Sequence, residues 1–185
     1  MKNTALIIVD FQNDYFEDFK DAKFVLENTF EASTNAALLL ETFREKEIKI
    51  IHVQHESLSK DAPFFITDTE GFDIHKSVAP VKGEEIIVKN HANSFLNTSL
   101  KEVLETSNIQ DVIICGAMSH ICINSTVRAA SELNYNCTVV HDACTTLALE
   151  FEGVQISAAQ VHASSMATLG FGFAKTVSTK EILAS

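Results

Sequence analysis

Three side chains of complementary chemistry stand out: the carboxylate of Asp10, the amine of Lys89 and the thiol of Cys122. A thiol attacks as its thiolate, and a nearby cation or the positive end of a helix promotes that form. Cys122 follows the loop Gly116–Ser119 and falls in the first turn of a helix predicted over His120–Asn134, with Ser119 as N-cap. A carboxylate beside it could take the thiol proton as a general base, and an amine would hold the acid's charge and favour the thiolate. Each residue, read alone, also admits a plain structural role. Cys122 is then a small buried hydrophobe, Asp10 a turn-capping acid and Lys89 a lysine whose head reaches solvent. Acid, amine and thiol at three strand ends of one sheet carry more weight together than singly.

Other chemistries find little support. The remaining cysteines, Cys115, Cys137 and Cys144, form no CxxC pair with one another or with Cys122, which argues against zinc. Cys115 and Cys137 lie inside predicted strands, and Cys144 reads as structural. His52 lies inside a strand, whereas His55 and His91 sit at its rim, and His120 lies two residues before Cys122. His52 and His55 are three apart, so on a strand they point to opposite faces and make a poor metal pair. The turn after the first strand reads DFQNDYF and holds no glycine, and the first glycine of the chain is Gly71. Backbone amides could not approach a phosphate there, which excludes NAD, FAD and P-loop nucleotides. No metal and no cofactor is expected.

The elements that must position these residues are legible as apolar runs: Ala5–Val9, Ile48–Val53, Glu85–Val88, Val112–Cys115, Cys137–Val140 and Phe171–Val177. Near-continuous Ile and Val predict strands buried on both faces of a parallel sheet. Amphipathic stretches at Thr29–Lys46, Ser99–Ser107, His120–Asn134 and Glu150–Leu169 predict the intervening helices. The fold class is therefore α/β, a three-layer sandwich with a six-stranded parallel sheet, in one domain over residues 1–185. Ligands of such sheets bind beyond the carboxyl ends of the strands, and Asp10, His55, Lys89 and the Gly116–Cys122 loop all fall on that rim. The irregular stretch Glu56–Glu84 is long enough to be a lid or an oligomer contact.

Composition narrows the partners. Fourteen Lys and Arg against 25 Asp and Glu give a formal charge of −11, which disfavours nucleic acid and anionic membranes. The apolar run Ala5–Val9 is too short for a signal-peptide core and no run reaches a membrane span, so a cytoplasmic protein acting on a small molecule is expected.

These segments resemble the isochorismatase-like hydrolases, the cysteine hydrolase superfamily. Ala5–Asp14 is similar to that family's opening strand with its acid. Val88–Lys89 with Ser94–Leu100 is similar to its lysine segment, and Gly116–Cys122, continuing through Thr126 and Arg128–Ala130 to Asp142–Ala143, to its nucleophile block. The resemblance implies an Asp10, Lys89 and Cys122 triad and an oxyanion hole from the Met118 and Cys122 amides, with a cis Ala117–Met118 peptide. It also implies hydrolysis of a small amide or ureido C–N bond through a thioester, by a homodimer or homotetramer with active-site loops near the interface. Vinyl-ether or ester hydrolysis on the same scaffold, and a binding protein without turnover, are the alternatives. Nicotinamidases of the family hold a metal with an Asp and two His after the second strand. Here that stretch reads Gln54–His55–Glu56–Ser57, so the ligand set is incomplete and metal-independent chemistry is expected. Gln12, Phe16, His55, Phe95, Met118 and His120 are the candidate pocket residues.

Overall fold

The computed structural model describes residues 3–184. Its strands are β1 (Thr4–Val9), β2 (Lys49–His55), β3 (Glu85–Lys89), β4 (Asp111–Ala117), β5 (Asn136–Thr145), β6 (Leu149–Phe151), β7 (Val154–Ile156) and β8 (Lys175–Val177). Six of them form one sheet in the order β3-β2-β1-β4-β5-β8, and every pairing in it is parallel. The helices are α1 (Thr29–Glu45), α2 (Leu100–Thr106), α3 (Asn124–Glu132), α4 (Ala158–Gly172) and α5 (Thr179–Leu183). Helices α1 and α5 pack together, α3 and α4 pack together, and α1, α3 and α5 all contact β5, which gives the sandwich its layers. All six residues of β1 are buried, as a central strand covered on both faces requires. Among the described residues, no helix is long and apolar enough to cross a membrane.

Three sequence expectations change. The helix expected over Glu150–Leu169 is instead the β6–β7 hairpin followed by α4. Phe151 pairs with Val154 across Glu152 and Gly153, whose φ angles of 50° and 81° are those of a tight two-residue hairpin turn. The last strand starts at Lys175, because Phe171 still belongs to α4. Strand β5 runs on to Thr145 through a bulge: Ile114 faces Val139, but Gly116 faces Cys144.

The 56–84 stretch packs down onto the end of β1. Asn13, Asp14 and His75 donate backbone N–H bonds to Asp73, Gly71 and Phe11 respectively. Asp14, itself buried, accepts N–H bonds from Phe65 (2.7 Å) and Lys23 (3.1 Å) on its two carboxylate oxygens. Gly71 passes so close that a Cβ there would lie 2.4 Å from that carboxylate. At its far end, Glu84 takes a two-pronged ion pair from Arg44 of α1 and a 2.9 Å contact from buried His52 of β2.

Candidate active site

Asp10 closes β1 in a left-handed conformation, φ 55°, with its N–H donating to Val53 of β2. A non-glycine residue with such a φ turns the chain sharply off the strand. Next to it, Gly116 on β4 has φ 132°, and a Cβ there would lie 2.0 Å from the Val9 carbonyl. Only glycine lets β4 pass β1 this closely, and the loop to Cys122 starts here. The Ala117–Met118 peptide is cis.

Cys122 does not sit in the first turn of an ordinary α-helix. Ser119–Ile123 is a π-helical turn, and α3 begins only at Asn124. Ser119 caps nothing: its hydroxyl donates to the Thr145 carbonyl and meets His162 Nδ1 at 2.8 Å. Lys89 arrives from β3, and the segment after it is clamped to α3, with Ser94 N and Oγ both on Thr126 Oγ1. Single π turns of this kind recur at functional sites.

The structure brings the three candidate residues together. Lys89 Nζ lies 2.8 Å from Asp10 Oδ2 and donates to Cys122 Sγ at 3.3 Å. It also donates to His55 Nδ1 and to the His91 carbonyl, both at 3.1 Å. Asp10 is fully buried, Lys89 is 1% exposed and Cys122 5%. Apart from the Lys89 ion pair, neither Asp10 oxygen has a hydrogen-bond partner among the described residues.

Burial opposes charge on Lys89, but Asp10 and Cys122 outweigh it and hold the ammonium above its ordinary value. The thiol behaves differently. Burial first, then the Asp10 charge, push Cys122 up to about 12 against the pull of Lys89. The site favours the protonated thiol over the thiolate that helix-end placement suggested, because a buried anion beside a carboxylate loses more than the lysine returns.

Asp10, His55 and Cys122 each place one metal-ligating atom within 4.8 Å of the other two. The Lys89 ammonium lies among them, within 3.3 Å of all three side chains. A metal ion at that point would have to displace a cation already paired there.

The other pocket candidates divide. His55 lies against Lys89, and buried Met118 immediately precedes the π turn that carries Cys122. His120 is half-buried, with Nδ1 at 2.6 Å from Thr146 Oγ1. Gln12 is fully buried and braces backbone: its amide bonds His55 N, His55 O and the Phe72 carbonyl. Phe16 is fully buried and stacked on His75, 3.6 Å between ring centres. Phe95 is partly buried and stacks on Tyr135. Gln12 and Phe16, with no exposed surface, are thus taken up by bracing and packing. Sequence reasoning passed over Tyr15. It is buried, and burial followed by the charges of Asp10 and Cys122 pushes its phenol well above the usual range. Its place in the DFQNDYF turn, five residues after Asp10, was the available signal.

Comparison with known proteins matches residues 4–169 to the isochorismatase domain. An uncharacterized isochorismatase family protein of Bacillus subtilis strain 168 is 44% identical over 96% of this chain and 97% of its own length. An isochorismatase-hydrolase structure from Oleispira antarctica superposes with a TM-score of 0.97 at 45% identity, over 100% of this chain and 97% of the other. The ureidoacrylate amidohydrolase of Pantoea ananatis is 25% identical over 81% of this chain and 72% of that protein.

Proposed function

The chain belongs to the isochorismatase-like hydrolase family, and from that premise we propose that it hydrolyses a C–N bond of a small amide or ureido compound through a thioester on Cys122. One observation carries this reading: a single buried ammonium, Lys89, lies within 3.3 Å of both the acid and the thiol. A pure binding protein has no physical use for that arrangement. The likeness to an amidohydrolase supports the choice of bond.

In the proposed mechanism Asp10 takes the Cys122 proton as the sulfur attacks the carbonyl carbon. Lys89 stabilises first the carboxylate and then the developing charge. The Met118 and Cys122 backbone N–H groups receive the oxyanion, a device worth about 3–4 kcal/mol per donor. Asp10 returns its proton to the departing nitrogen as the C–N bond breaks, leaving an acyl thioester. Water then attacks the thioester and gives a proton to Asp10. The acid leaves and the thiol is re-protonated. No step requires a metal, so activity should survive exhaustive chelation. The working form is a homodimer or homotetramer.

The test is ammonia release from a panel of primary amides and ureido compounds, with mass spectrometry of the acylated protein. Turnover of at least one compound, an adduct on Cys122, and loss of both in Cys122→Ala are expected. Turnover that persists in Cys122→Ala would refute the mechanism.

A further inference from the structure

His55 and Lys89 are paired in register on adjacent parallel strands, which sets the imidazole against the ammonium. Their contact, Nζ to Nδ1 at 3.1 Å, can be made in only one way. An ammonium has three protons and no lone pair, so Nδ1 must be the acceptor. The one proton of a neutral imidazole is then on Nε2. Burial chiefly, then Lys89 and His91, against the pull of Asp10, favour the neutral ring. A charged ring would set two cations face to face across the same 3.1 Å. Among the described residues, no protein group accepts the Nε2 proton, and the ring is only half-buried. A ring nitrogen, the thiol sulfur and an Asp10 oxygen lie within 4.8 Å of one another. Nδ1 is turned to Lys89, so Nε2–H is the ring's remaining donor for a molecule held at Cys122.

We propose that His55 determines specificity: held by Lys89 as the Nε2–H tautomer, it keeps a hydrogen-bond donor free for a substrate bound at Cys122. It therefore selects amides that carry a second acceptor oxygen, a carbonyl or carboxylate, next to the scissile carbonyl. This rests on the hydrolase reading above for the reaction, but not for the tautomer. A substrate with an N–H or ammonium at that point would meet donor with donor and lose its hydrogen bond to water without replacement.

Two measurements test it. Long-range ¹⁵N–¹H correlation spectra of labelled protein at neutral pH, assigned with His55→Gln, should show a protonated Nε2 and a bare Nδ1 for His55. An Nδ1–H tautomer or an imidazolium would overturn the proposal. The second is protection of Cys122 from iodoacetamide by three small amides: oxamate, propionamide and glycinamide. Oxamate should protect at about tenfold lower concentration than propionamide, the scale of one partly exposed hydrogen bond, and glycinamide should protect least. Asparagine reaches only the Nδ1 position and glutamine only the Nε2 position. The preference should therefore collapse in His55→Asn and persist in His55→Gln. Equal protection by all three amides in the unmodified protein, or an undiminished preference in His55→Asn, would overturn the proposal. Neither measurement needs turnover, so failure to release ammonia from any amide would count against the hydrolase reading alone.

Discussion

The surroundings of Cys122 favour its protonated form, and that bears on what Asp10 contributes. The carboxylate raises the thiol through its charge, and in the proposed mechanism it also serves as the base. Asp10→Asn should therefore act in opposite directions on two assays. Without the neighbouring negative charge the thiol pKa falls, and iodoacetamide should alkylate Cys122 faster at pH 7. Amide hydrolysis should fall by about 10²–10⁴-fold, because nothing is left to carry the proton. Slowing of both would show that Asp10 supports the structure rather than the chemistry. Asp10, Lys89 and Cys122 were legible in the sequence because each lies at or shortly beyond the end of an apolar run that reads as a strand, although β3 is an edge strand that exposes Ile86 and Val88 rather than one buried on both faces. The His55–Lys89 contact was not, since it depends on the β2–β3 register, which no local pattern encodes. Gln12 and Phe16 looked like rim residues because the sequence does not show that the 56–84 stretch folds over them.

Among the elements, Glu84 ties the end of the 56–84 stretch to α1 and β2. Burial raises its carboxyl, but bonds from Arg44, Val81 N and His52 prevail and hold it at about 2, against 4.5 when exposed. A depressed carboxyl stabilises the fold above its unfolded value and loses that contribution as pH falls through the folded one. Stability should therefore drop between pH 4.5 and 2. Buried His52, also depressed, mainly by burial, adds loss as pH falls below 6.5. Glu84→Gln should cost roughly 2 kcal/mol at pH 7 and flatten the lower part of this slope, as read by urea unfolding across the range. Gly71→Ala should cost ~1–3 kcal/mol in the same assay, because the Asp14 carboxylate it would strike is fixed by two backbone bonds. The parallel strands could be read from their near-continuous Ile- and Val-rich runs, the short last one least accurately. The hairpin could not: its strands have three residues each, and their alternation was absorbed into the helical pattern that follows.

For the molecule as a whole, that hairpin is a contiguous exposed apolar patch. Leu149 faces Ile156 and Phe151 faces Val154, so all four side chains share one face, while Glu150 and Gln155 share the other. Phe151 is 69% exposed and Val154 61%. If the protein works as the proposed homo-oligomer, this face is where we expect a second copy to rest. Sedimentation should show a dimer or tetramer at micromolar concentration, and Phe151→Glu should shift it to monomer with the fold intact. A protein already monomeric would remove the oligomer from the proposal and leave the chemistry standing.

The strand order also bears on how the chain is made. Strand β1 lies in the middle of the sheet, yet its β4 partner follows it by roughly a hundred residues. During synthesis at about 5–20 residues per second, Thr4–Val9 leaves the ribosome several seconds before β4 does. Throughout that interval, even after β2 has emerged, the β4-facing edge of these six core residues stays unpaired, and an uncharged, strand-forming edge is the kind that chaperones bind and aggregates recruit. Nascent chains stalled before residue 111 should remain open to protease, and protection should set in only once β4 has emerged.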